Sequence, residues 1–181
     1  MKISTKKLVL NALMIAVVFL ITYLPFLRIP SPIPGGYFNI GDAAIMITAI
    51  LLGKKSGFIA GAIGSALADL ACGSFIFVPI TFIVKGLEGY IVGAIANKNS
   101  GRAPSRAVQI ISLAVGALVM VLGYFVFELT IIRLIDKSLA FTAIVAEIPG
   151  NLIQGAVSAI LAYAFITIMF KTNIGKQLRN N

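Results

Sequence analysis

Residues Val145–Leu161 read VAEIPGNLIQGAVSAIL. The segment lies inside a long apolar stretch, yet it carries Glu147, Asn151 and Gln154, with a Pro149-Gly150 pair between them. At 100° per residue, Glu147, Asn151, Gln154 and Ser158 fall within one narrow sector of a helix. They form a single polar stripe. Polar and ionisable groups at membrane depth are costly and turn toward the protein interior. The stripe therefore predicts a helix that faces an internal polar site. Pro149 is expected to open this helix, because the N–H it lacks goes unpaired in a first turn anyway. From Pro149 to Phe170 is 22 residues, close to one membrane span. Glu147 would then stand at the helix N-terminus, where the dipole favours a carboxylate.

The rest of the chain agrees with a membrane setting. Of 181 residues, 59% are hydrophobic and 12% charged. A soluble domain is about 45–50% apolar and about 25% charged. Six apolar spans are expected, at approximately 7–27, 39–53, 57–72, 78–97, 107–131 and 140–170. The second and third are short for a ~30 Å hydrocarbon core. The start, MKISTKKLVLNALMIAVVFL, has the basic head and apolar run of a signal peptide, but TYLPFLRIP follows in place of a small-residue cleavage pattern. It is read as a retained first helix, and the chain as one domain, residues 1–181.

The fifteen basic residues set the orientation. With the N-terminus inside, eleven are cytoplasmic: Lys2, Lys6, Lys7, Lys54, Lys55, Lys98, Arg102, Arg106, Lys171, Lys176 and Arg179. Arg28, Arg133 and Lys137 lie outside, and Lys85 lies within a span. The positive-inside rule then favours an all-α membrane protein of six transmembrane helices with both termini cytoplasmic. The net charge of +9 is thus a topology signal, not a sign of nucleic acid.

Several chemistries are excluded. There is no histidine and one cysteine, Cys72, so neither a Cys/His metal cluster nor an internal disulfide can form. Cys72 is expected to be a small buried residue. The string GKKS at 53–56 echoes a phosphate-binding loop, but the glycine required at position 48 is Thr48. Neither a metal nor a cofactor is expected, and the chain is not expected to hydrolyse ATP itself.

Five of the six acids, Asp42, Asp69, Glu88, Glu128 and Glu147, fall in or beside spans; Asp136 lies in a loop. Thr81, Lys85 and Glu88 share one face of span four, and Lys85 and Glu88 are spaced to pair. Asn39 and Asp42 are expected to cap span two. Asp69 is expected to end span three at the outer face and bond the loop there. In span three, Gly57, Gly61 and Ser65, and Gly64 and Ala68, give small-residue faces for close packing. Between spans one and two, PFLRIPSPIPGGYFNIG holds four prolines and cannot be a continuous helix; it is either a stiff connector or a lid.

The stretches ALMIA in span one, NIGDAAIMITAILLGKKSGFIAGAIGSALADL across spans two and three, KGLEGYIVGAIA in span four and PGNLIQG in span six carry a resemblance. In this order, with short basic cytoplasmic loops, the chain resembles the substrate-binding S components of energy-coupling-factor (ECF) vitamin transporters over nearly its whole length. The resemblance implies a bacterial cell-membrane protein that binds a vitamin from outside and delivers it inward by toppling. Its implied partners are a transmembrane coupling protein and two cytoplasmic ATPases. It implies that Ala12 and Ala16 meet the coupling protein. It also implies that the loop containing Pro34, Gly35, Gly36, Tyr37 and Phe38 gates the vitamin, and that Asn151 binds it. Gln154 lies where riboflavin-type members often carry a lysine.

The expected pocket is Glu147, Asn151, Gln154, Lys85 and Glu88, with Tyr124 or phenylalanines for stacking. A carboxylate beside amides suits a small nitrogen heterocycle. Hydroxymethylpyrimidine leads, with riboflavin or pyridoxine as alternatives. Outside transport, the rivals are a membrane enzyme acting on a lipid-like substrate and a structural subunit without a ligand.

Overall fold

A computed structural model describes residues 5–98, 103–132, 134 and 141–172. Of the residues used to orient the chain, Lys2, Arg102, Arg133, Lys137, Lys176 and Arg179 lie outside the described residues, as does Asp136.

Six helices are described. Helix α1 is Thr5–Tyr23, α2 is Gly41–Leu52, and α3 runs through Lys54–Ile59, Ala60–Gly64 and Ser65–Cys72. Helix α4 is Val78–Ala96, α5 is Arg106–Phe127 continued by Glu128–Ile132, and α6 is Phe141–Lys171. Four of them, α1, α4, α5 and α6, are long and apolar enough to cross a bilayer. The first span ends earlier than expected, at Tyr23, because Pro25 opens a separate 3-10 turn, Pro25–Leu27.

Helix α2 has 12 residues, about 18 Å, too few to cross alone. Ten of the 12 are buried. A helix that is apolar all round belongs in a core, and α1, α3, α4 and α6 all pack around this one. Met46, Ala49 and Ile50 join Val92 of α4, Leu113 of α5 and Ala162 of α6 in one apolar cluster. The small-residue face of α3 packs as its spacing requires. A Cβ at Gly57 would stand 2.6 Å from that of Ala49 and 2.7 Å from the Gly89 carbonyl, so nothing larger fits.

The proline-rich loop is not a bare connector. It folds into a hairpin of β1, Arg28–Pro30, and β2, Tyr37–Asn39, with Arg28 opposite Asn39 and Pro30 opposite Tyr37. This small antiparallel pair is an addition to the all-α expectation. Its end strands hold the backbone bonds that proline denies to a helix. Cys72 lies at the end of α3, half-buried rather than fully buried, where the Arg28 guanidinium donates to its Sγ. The Arg28 side chain also stacks over Tyr23 and Tyr37, 5.9 and 5.1 Å from their ring centroids.

Helix α6 corrects the reading of its own sequence. Pro149 lies inside it, not at its start. Residues Phe141–Ile148 are apolar apart from Thr142 and Glu147, and in a bilayer their backbone groups must bond within the segment. The helix therefore begins a further two turns back. Glu147 is an interior residue, without the N-terminal position the sequence suggested.

Candidate functional site

The polar stripe survives this correction. Glu147, Asn151, Gln154 and Ser158 are all buried, none more than 7% exposed. The first three line an internal cavity, together with Lys85 and Thr81 of α4 and Tyr124 of α5. Helix α3 contributes Ser65 and Asp69, α5 contributes Glu128 from the start of its last turn, and Phe77 supplies an aromatic wall. The hairpin closes one side with Gly35, Gly36 and Tyr37. Closed in this way, the cavity measures about 30 Å³, room for about one water.

A chain of polar contacts runs from α4 to the hairpin. The buried Lys85 ammonium pairs with Asp42 Oδ1, and Glu88 Oε2 stands further off at 3.9 Å. Asp42 Oδ2 accepts from Gln154 Nε2 at 2.7 Å. Gln154 Oε1 in turn accepts the Asn39 N–H at 2.8 Å. Asp42 is thus no helix cap. A buried ammonium needs a counter-charge, and in α2 the N-cap position, Ile40, has no side-chain bond. Asn39 does bond a helix-start N–H, that of Gly41, at 2.8 Å. Lys85 also lies 5.3 Å from the Tyr124 ring centroid, and the Tyr124 hydroxyl shares a 2.9 Å hydrogen bond with Thr81.

The hairpin is fastened at further points. The Ile33 N–H donates to Glu147 Oε1 at 3.3 Å, and Ser74 Oγ donates to the Gly35 carbonyl at 2.7 Å. The Tyr37 hydroxyl donates to Asp69 Oδ1 at 2.6 Å, so Asp69 bonds the loop as its position suggested. Burial, and after it the Asp69 carboxylate, push the Tyr37 phenol up, keeping it a donor. The Phe38 ring lies against Gly150: a Cβ there would come within 2.7 Å of both Cε atoms. The glycine beside Pro149 is a seat for the hairpin.

Of the residues selected from sequence, Glu147, Asn151, Gln154, Lys85 and Tyr124 line one cavity. Glu88 does not line it; it sits behind Lys85, fully buried. Gly35, Gly36 and Tyr37 face the cavity, Phe38 rests on α6, and Pro34 is exposed. Ala12 and Ala16 are exposed on α1, away from the cavity. Asp42, expected as a cap, is the Lys85 counter-ion, and Thr81, Asp69 and Glu128 join the expected pocket residues in the cavity. The signal for these was present, since each is polar within an apolar span.

A polar cavity enclosed by apolar helices and closed on one side by a short hairpin defines a multi-pass membrane protein with an internal polar site. Over residues 2–171 the chain matches the family described as ECF-type riboflavin transporter, S component, and it belongs to that family. It is a vitamin-binding subunit of a transporter, not an enzyme. The family also implies association with an ECF module of coupling protein and ATPases. A protein of Pyrococcus woesei, described as an uncharacterized protein in the gap 3′ region, is 36% identical over 155 residues, covering 82% of this chain and 91% of that one.

Proposed function

We propose that this chain captures riboflavin outside the cell membrane and releases it inward when docked on an ECF module. The observation that carries the reading is the lidded polar cavity in a chain whose family is described by riboflavin transport. Riboflavin is neutral, with an aromatic ring and a chain of hydroxyls. The cavity offers matching groups: Phe77 and Tyr124 for the ring, Asn151 as both donor and acceptor, and carboxyl groups for hydroxyl donors. Riboflavin takes the place of hydroxymethylpyrimidine as lead because two of the stripe residues on which the smaller ring rested, Glu147 and Gln154, already bond the hairpin.

With a cavity of about 30 Å³, entry of a vitamin requires the hairpin to lift. The hairpin is accordingly the gate. The six helices are read as six spans with both termini cytoplasmic, and the exposed Ala12 and Ala16 as the contact with the coupling protein.

A second reading is hydroxymethylpyrimidine. Glu128 and Glu147 are neighbours in the cavity, an arrangement that suits an amino group beside a protonated ring nitrogen. The test is a binding measurement on the purified full chain without ATP, by flavin-fluorescence quenching and thermal shift. Saturable riboflavin binding, with no response to hydroxymethylpyrimidine or pyridoxine, is expected. A response to the pyrimidine alone would reverse the order of the two readings.

A further inference from the structure

Glu128 is 1% exposed, lines the cavity beside the Glu147 carboxyl, and among the described residues its carboxyl oxygens have no partner other than that second acid. A buried carboxyl whose only polar neighbour is another acid is costly to a fold, so one that persists needs another explanation. Its backbone is also special. Glu128 opens the π-helical turn Glu128–Ile132, a widened turn of the kind frequently found at functional sites. The neighbouring acids at this end of the cavity are partly committed to the hairpin. Glu147 Oε1 takes the Ile33 N–H and Asp69 Oδ1 takes the Tyr37 hydroxyl, while Asp69 Oδ2 has no close hydrogen-bond partner among the described residues. The hairpin end of the cavity is therefore rich in acceptors. Among the described residues, Lys85 is the one cationic side chain lining the cavity, and its ammonium is already paired with Asp42.

We infer that Glu128 is a specificity-determining residue that accepts hydrogen bonds from the ligand's hydroxyl chain and selects the unphosphorylated vitamin. This rests on the riboflavin reading. Hydroxyl groups supply the donors that Glu128 and Asp69 lack. A terminal phosphate on that chain would meet three carboxyl groups and, among the described residues, no free cation.

The experiment compares riboflavin, its phosphate ester FMN, and lumiflavin, which keeps the ring without the hydroxyl chain. Binding is measured by fluorescence quenching on the full chain and on Glu128→Gln. The wild-type protein is expected to bind riboflavin at least about tenfold more tightly than either analogue. Glu128→Gln should weaken riboflavin by about tenfold, leave lumiflavin within about twofold, and narrow the gap between riboflavin and FMN. Equal losses for riboflavin and lumiflavin, or no change, would overturn the assignment. So would FMN binding as tightly as riboflavin to the wild-type protein, a result independent of whether the variant folds. Failure of the wild-type protein to bind any flavin would instead overturn the riboflavin reading, and this inference with it.

Discussion

The Asn39 N–H donates to Gln154 Oε1 at 2.8 Å, so the second strand of the hairpin is tied to the polar stripe of the last helix. The same carboxamide donates to Asp42. Gln154 therefore links the hairpin to the Lys85–Asp42 pair. Gln154→Leu removes both bonds and leaves a buried N–H and a carboxylate oxygen without partners. The expected cost is about 1–3 kcal/mol of stability. Ligand dissociation should accelerate severalfold as the hairpin loosens. Thermal denaturation and stopped-flow release would measure the two effects, and an unchanged release rate would separate Gln154 from gating.

Gly150→Ala tests the seat of Phe38. The added methyl meets the Phe38 ring, and overpacking of this kind costs about 1–3 kcal/mol. The hairpin should close less firmly and the ligand leave faster. Pairing Gly150→Ala with Phe38→Leu removes the clash and should recover much of the residence time. Failure of that pair to outperform Gly150→Ala alone would mean the contact is incidental.

Lys85→Met strands two acids, Asp42 and Glu88, in an apolar surround. Breaking one side of a buried ion pair costs about 3–5 kcal/mol. The double variant Lys85→Met/Asp42→Asn should regain part of that, because it removes one unpaired charge. Melting temperatures of wild type, Lys85→Met, Asp42→Asn and the double variant in one detergent provide the comparison. Additive losses would contradict the pairing.

Ala12→Phe and Ala16→Phe place bulk on the exposed face of α1. Both positions lie away from the cavity, so vitamin binding by the purified chain should stay within about twofold of wild type, as expected for unconnected sites. Uptake by cells that also carry the ECF module should fall strongly if this face docks. Full uptake by both variants would remove the docking assignment.

Much of the cavity was legible in one helix. The spacing of Glu147, Asn151, Gln154 and Ser158 holds in the structure because side-chain direction in a helix follows from its period alone. The burial of Thr81, Lys85 and Glu88 was readable for the same reason. Partner choice was not. Lys85 and Glu88 are neighbours on their own helix, yet the closest partner of Lys85 is Asp42, 43 positions away. Sequence spacing reports contacts within an element; a buried charge takes whichever counter-charge the packing brings closest.

The membrane class, the apolar helices, and the face that carries the costly polar groups were all legible before any fold was known. These follow from composition and periodicity, which act locally. Packing between distant segments made Gly150 a seat for Phe38. It also turned Asp42 from a cap into the counter-ion of Lys85, and made Glu147 and Gln154 fasteners of a hairpin. Each of these depends on a contact between segments far apart in the chain. The requirement to satisfy polar groups away from water selects such contacts only when the helices have come together.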